Sequence, residues 1–167
     1  MTHPIEKLME VRESKFGKGL FALTDIGEGS ILCKVSGTEL EMDFATTLAL
    51  KNKESHALQI DHDRYILCEP PFLYSNHSCN PNCGVNSRLE MLALKHIRAG
   101  QELLWDYSTS MLERHWTMKC SCGEAECRKI ITDFDLLPQE LQLNYLHKNI
   151  VLPFIVSYLQ QHLAKTA

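Results

Sequence analysis

Between residues 6 and 35, apolar positions fall in short β-prone runs: Leu8 to Val11, Gly19 to Leu23 and Ser30 to Val35. Gly17, Gly19, Gly27 and Gly29 interrupt them, and short runs bounded by turn residues predict strands. Met42 to Leu50 predicts a short helix. Leu58 to Ile60 and Tyr65 to Cys68 predict two strands around the polar turn Asp61-His-Asp63. Glu90 to Lys95 and Glu102 to Trp105 predict another pair, joined by a turn at Arg98-Ala-Gly100. The tail has a different period. Pro138 suits the opening of a helix, where its missing amide proton has no partner to lose, and Leu141 and Tyr145 then share one face. A second helix is expected with Pro153 in its first turn and Val151, Ile155, Tyr158 and Leu159 at helical spacing. The pattern describes a mainly β body with short helices and a helical C-terminal appendage, without internal repeats.

A length of 167 residues suits one main body with a true core. Hydrophobic residues make up 44% and charged residues 23%, as in ordinary globular chains. The net charge of -4 argues against a nucleic-acid partner and suits a basic peptide. No N-terminal stretch has the pattern of a signal peptide and no apolar run is long enough to cross a bilayer. No membrane partner is therefore expected, and the expected location is intracellular, cytoplasmic in preference to nuclear.

The candidate chemistry begins with cysteine. Of seven cysteines, three fall within Cys120-Ser-Cys122-Gly-Glu-Ala-Glu-Cys127. In a reducing compartment that C-x-C-x4-C spacing favours a metal over disulfides. Thiolates hold zinc tetrahedrally, and Gly123 lets the backbone turn tightly enough to aim several sulfurs at one ion. Three ligands leave a vertex for water or for a distant residue. Cys33 and Cys68 fall in predicted strands and are expected to be buried packing residues. Phe16-Gly-Lys-Gly-Leu-Phe-Ala22 leads into a strand but has neither the phosphate-loop nor the dinucleotide pattern, so alone it reads as a tight turn. Asn76-His-Ser-Cys-Asn-Pro-Asn82 alone reads as a hydrogen-bonded turn.

Taken in order, Tyr74-Ser-Asn-His-Ser-Cys-Asn-Pro-Asn-Cys83, Glu102-Leu-Leu-Trp-Asp-Tyr107 and the cysteine cluster resemble the catalytic half of a SET-domain protein-lysine N-methyltransferase followed by a post-SET zinc motif. The resemblance runs from about Glu13 to Lys129. It implies a SET-domain (β-clip) fold in which the Asn76 segment threads a loop to form a pseudoknot. It implies a SET domain over 1–118, a post-SET zinc motif over 119–130 and C-terminal helices over 131–167. S-adenosylmethionine is the implied cofactor, held by the backbone of Gly17, Lys18 and Gly19 and by polar contacts from Asn76 and His77. The implied partner is a protein substrate carrying a lysine. Tyr107 is the implied catalytic residue, aligning a neutral lysine amine for in-line attack on the sulfonium methyl, with Trp105 and His56 lining the substrate channel. Such a reaction needs alignment and a dry site. It needs no strong base, because a desolvated lysine beside a cationic sulfonium has a depressed pKa. The implied metal ligands are Cys79, Cys120, Cys122 and Cys127, with Cys83 competing for the place of Cys79.

Several positions depart from the family pattern. Trp105 stands where Phe or Tyr is usual, at a position that helps decide how many methyl groups are added. With Gly37 as the glycine of the EYxGE motif, Lys34 replaces its Glu and Val35 its Tyr. His56 takes the place of a frequent active-site tyrosine, and Leu73 that of an arginine. Strand alternation puts Lys34 on the face opposite Val35, away from the channel. These departures motivate a second reading, a catalytically silent SET-like protein-interaction module stabilised by zinc. A third, a simple zinc-binding redox or regulatory protein, is disfavoured by the Asn76 and Tyr107 segments.

Overall fold

The computed structural model describes residues 8–41, 57–114 and 116–163. The helix expected over Met42 to Leu50, and His56, lie outside the described residues. In chain order the strands are β1 (Met9–Ser14), β2 (Gly17–Ala22), β3 (Ile31–Lys34), β4 (Gly37–Glu41), β5 (Ala57–Gln59) and β6 (Arg64–Cys68). They continue with β7 (Asn76–His77), β8 (Cys83–Val85), β9 (Glu90–Ala93), β10 (Leu104–Trp105), β11 (Met118–Lys119) and β12 (Ile130–Ile131). Two helices close the chain, α1 (Gln139–His147) and α2 (Pro153–Leu163).

Among the described residues these strands form five small sheets. β1 and β2 make an antiparallel hairpin with Met9 opposite Ala22 and Ser14 opposite Gly17. The order β3-β9-β8 makes one three-stranded sheet and β4-β6-β5 another, both antiparallel. Alternation is clean in β9, where Met91 and Ala93 face the core. It fails in β3, where the neighbours Leu32 and Cys33 are both buried. The cause is a register shift against β9 between Ile31 and Cys33, since a bulge breaks the period of two.

The tail completes the core of the β body. Tyr145, Ile150, Leu152 and Ile155 belong to the same buried cluster as Leu20, Leu32 and Met91. Fully burying such a side chain is worth about 1.5–3 kcal/mol relative to leaving it exposed. Pro138 caps α1 and Pro153 opens α2, in line with the pattern. Val151 differs: it is buried in the connection ahead of α2 and not on that helix. The connection fits because β8 carries Gly84, where an added Cβ would lie 2.6 Å from Ile150 Cγ2. No helix among the described residues is long and apolar enough to cross a membrane.

Candidate active site and thiolate cluster

The Asn76 and Tyr107 segments lie side by side. β7 pairs in parallel with β10, Asn76 beside Leu104 and His77 beside Trp105, the crossing that the pseudoknot requires. Ser78 N donates to the Trp105 carbonyl at 3.0 Å. Two-residue strands have little ladder of their own, and the Asn82 side chain extends it. Its Nδ2 donates to the Glu102 carbonyl at 2.8 Å and its Oδ1 accepts from Leu104 N at 2.8 Å.

Asn76 also reaches the glycine-rich hairpin, donating from Nδ2 to the Lys18 carbonyl at 3.0 Å and to Glu102 Oε1 at 2.8 Å. Gly19 is hemmed in, since an added Cβ would collide with the Glu102 carboxylate. Gly17 is the opposite case. It is exposed, with φ of 97° and open space where a side chain would be. Exposed Gly17, with no side chain to screen its backbone, and exposed Lys18, whose carbonyl is held by Asn76, fit a cofactor that is bound beside main-chain groups.

His77 points inward and is 5% exposed. Its Nδ1 accepts from Tyr107 N at 3.2 Å, so Nε2 carries the proton and faces Cys79 Sγ at 3.4 Å. Burial pushes its pKa down to about 4, opposed by Asp106 and assisted by Arg128. The ring is therefore neutral at pH 7 and committed within the protein, and His77 has its backbone to offer a cofactor.

The half-buried Tyr107 donates its hydroxyl to the Ser75 carbonyl at 3.1 Å. Burial, with Cys68 and Glu102 nearby, pushes the phenol well above its usual range, so it stays protonated. Trp105 is buried between Tyr107 and Phe72, with ring centroids 4.9 Å and 5.4 Å away. Its indole N–H is buried without a hydrogen-bond partner among the described residues. Val35 is buried and Lys34 exposed, so the ammonium does lie on the opposite face. Leu73 packs half-buried against the core.

The structure brings Cys79, Cys120, Cys122 and Cys127 together, their sulfurs all within 4.8 Å of one another. Cys79 and Cys120 are 3.8 Å apart. Thiolates at about 2.3 Å from a tetrahedral zinc stand about 3.8 Å apart, so this donor set fits the ion. Cys83 lies elsewhere, fully buried in β8 opposite Ala93. β11 pairs with β12 and Cys120 N donates to the Lys129 carbonyl, which closes the loop that carries three of the sulfurs. Burial raises the Cys79 and Cys120 thiols. At Cys122 burial is outweighed by hydrogen bonds from the Cys79 and Glu124 backbone and from the Cys120 and Cys127 thiols, which bring it down to about 7. Cys33 and Cys68 are core residues, as their strand positions imply.

Asp106 joins the two centres. Its Oδ1 accepts from Arg128 Nη2 at 2.7 Å and Ser108 N at 3.1 Å, and its Oδ2 accepts from Tyr145 Oη at 2.8 Å. Sequence reasoning missed Arg128 and this role of Tyr145. Arg128 could have been noticed as the cation directly after Cys127, whereas Tyr145 carried no signal beyond its helix face. A separate groove of about 470 Å3 runs between Ile60, Leu89, Phe154 and Tyr158, and among the described residues none of the candidate site lines it.

The SET domain family matches residues 17–108, more than half of the chain. The chain is 30% identical over 127 residues to Histone-lysine N-methyltransferase trr of Drosophila melanogaster, covering 68% of this chain and 5% of that protein. It is 32% identical over 127 residues to Histone-lysine N-methyltransferase, H3 lysine-36 specific, of Homo sapiens, covering 66% of this chain and 5% of that protein. The chain thus spans a small part of the curated relatives that it matches. Among solved structures, KRYPTONITE in complex with mCHG DNA and SAH is similar with a TM-score of 0.57 and 26% identity, over 74% of this chain and 29% of that one.

Proposed function

This chain belongs to the SET-domain family, and from that premise we propose that it is an S-adenosylmethionine-dependent protein-lysine N-methyltransferase. The observation that carries the reading is the placement of Tyr107. Its backbone is tied to His77 and its hydroxyl to Ser75, in the segment that also supplies Asn76 to the glycine hairpin. The names of the relatives, and SAH in the KRYPTONITE complex, support the same reaction class.

S-adenosylmethionine, when bound, supplies an electrophilic methyl group. Gly17 and Lys18 would hold it at the exposed turn of the hairpin, with Gly19 and the Asn76-His77 backbone beside them. Tyr107 has committed its proton to Ser75, so its oxygen turns lone pairs to the site and accepts an N–H of the incoming amine. That fixes the amine's own lone pair toward the methyl donor. A phenol kept protonated by burial does not act as a base, and the lysine must enter neutral. Trp105 and Phe72 form an apolar wall that keeps water from the reacting groups.

The four thiolates would hold zinc and tie the loop from Cys120 to Cys127 onto the Asn76 segment through Cys79. The proposed division is a SET domain over 1–118, a post-SET motif over 119–130 and C-terminal helices over 131–167. The substrate is a protein lysine. The DNA in the KRYPTONITE complex belongs to a chain of which this one matches 29%, and the net charge of -4 favours a basic peptide. We propose an intracellular location.

The buried Val35, where the resemblance places a phenol, favours one competing reading: a catalytically silent, zinc-stabilised protein-interaction module. Calorimetry with S-adenosylmethionine, followed by transfer of a labelled methyl group to lysines in a cell lysate, tests both. Binding with transfer supports the enzyme. Absence of transfer to any protein supports the silent module, and absence of binding rejects the enzyme.

A further inference from the structure

Asp106 is 1% exposed, and a polar side chain is retained at such depth only when its oxygens are paired. Arg128 and Ser108 N occupy Oδ1. At Oδ2 the partner among the described residues is the Tyr145 hydroxyl of α1, at 2.8 Å. Tyr145 is itself 2% exposed, and Phe there would keep its packing while losing the hydroxyl's contacts with Asp106 and the neighbouring Arg128.

Asp106 is the N-cap of the short 3-10 turn Tyr107–Ser110, and its neighbour Tyr107 donates its N–H to His77. Rotation of the Asp106 side chain would release the cap at Ser108 N and turn the Tyr107 peptide. The tail grips this turn twice more, with Ser108 Oγ donating to the Thr132 carbonyl at 2.7 Å and Leu152 N to the Thr109 carbonyl at 3.2 Å. All three tail residues lie outside the segment matched by the SET family, 17–108.

We propose that Tyr145 is a positioning residue for the methyl-transfer site, holding Tyr107 in its working orientation through Asp106. The C-terminal helices are then a brace on the reacting phenol. The inference rests on the reading of Tyr107 as the residue that aligns the amine.

The test compares the full chain with Tyr145→Phe and with a control, Tyr158→Phe, whose ring on α2 faces Arg114 at 5.1 Å. Tyr145→Phe is expected to lower kcat about 10-fold, the loss of one hydrogen bond to a charged group felt at the site. Cofactor affinity and substrate KM should stay within about twofold, and the backbone N–H resonance of Tyr107 should shift or broaden. Tyr158→Phe should change none of these. An unchanged kcat with an unmoved Tyr107 resonance overturns the proposal. So does a joint collapse of cofactor affinity and folding in Tyr145→Phe, which would make the residue merely structural. Should the unmodified chain neither bind S-adenosylmethionine nor methylate protein, the functional reading fails. The Tyr107 resonance then still decides whether Tyr145 holds that residue in place.

Discussion

The imidazole Nε2 of His77 lies 3.4 Å from the sulfur of Cys79. The opposite nitrogen of the same ring takes the Tyr107 amide, so one side chain spans the thiolate cluster and the candidate catalytic residue. Outer-shell partners of this kind orient metal ligands and are in turn oriented by them. Order at the cysteines should therefore be felt at Tyr107.

That coupling makes the metal the first prediction. Purified protein should contain zinc in an amount equal to protein by elemental analysis. Cys79→Ser should lose it or hold it far more weakly, and a chelator should lower both thermal stability and methyl transfer. Cys83→Ala should keep its zinc, whatever it loses in core packing. Retention in Cys79→Ser together with loss in Cys83→Ala would mean that the wrong sulfur has been assigned.

Trp105 carries the second. Its indole is larger than the Phe or Tyr usual at that position and is wedged beside Tyr107 and Phe72, which narrows the space for a methylated amine. The unmodified enzyme should add few methyl groups and Trp105→Phe should add more, as read by mass spectrometry of a modified peptide. Trimethyl-lysine as the main product of the unmodified enzyme would defeat the idea.

How far these sites were legible varies with the distance over which they are held. The thiolate cluster was legible because three of its members share one loop. Fourth-ligand choice and the Asn76 and Tyr107 roles came through family resemblance, and geometry supplied what spacing lacked. β6 and β9 were visible as short apolar runs bounded by polar turns, and both tail helices through their prolines. β10 was visible within the run from Glu102 to Trp105, but β7 and its pairing with β10 were not, since two residues make no pattern and the pairing depends on the Asn82 side chain. The Gly84 contact with Ile150 was equally hidden, because a glycine in a strand says that something comes close without saying what. The bond from Tyr145 to Asp106 spans 39 positions and leaves no local trace.

Alkaline pH should destabilise the protein. Burial pushes the thiols of Cys33 and Cys68 from 9.0 up to about 12. In the unfolded chain they ionise near pH 9, whereas the folded chain keeps them protonated. Their contribution is therefore complete below pH 9 and is lost as pH rises from 9 toward 12, by up to about 4 kcal/mol for each thiol at the top of that window. Buried Tyr65 and Tyr145 and half-buried Tyr107, all shifted upward chiefly by desolvation, act in the same direction. Urea midpoints measured from neutral pH to about pH 11 should fall, and the double variant Cys33→Ala, Cys68→Ala should fall less steeply. Equal slopes for the two proteins would show that these thiols are not the cause.

The final prediction concerns Tyr107 itself. Its hydroxyl donates to Ser75, and its oxygen is left to accept from the reacting amine. Asn76 and the glycine hairpin stand at the proposed cofactor side. Removing the phenolic oxygen should therefore leave the cofactor contacts in place and take away an interaction made mainly in the transition state. Such a loss lowers kcat with little change in ground-state affinity. By analogy with the removal of one oxyanion donor, Tyr107→Phe should cost about 10²-fold to 10³-fold in turnover. The freed Ser75 carbonyl adds a stability cost of about 1–3 kcal/mol, because a buried acceptor loses its donor. Calorimetry with S-adenosylmethionine and initial rates on a mapped lysine peptide, both on Tyr107→Phe, measure the two effects separately. Undiminished turnover would remove Tyr107 from the mechanism, and a collapse of cofactor affinity would assign it to holding the fold.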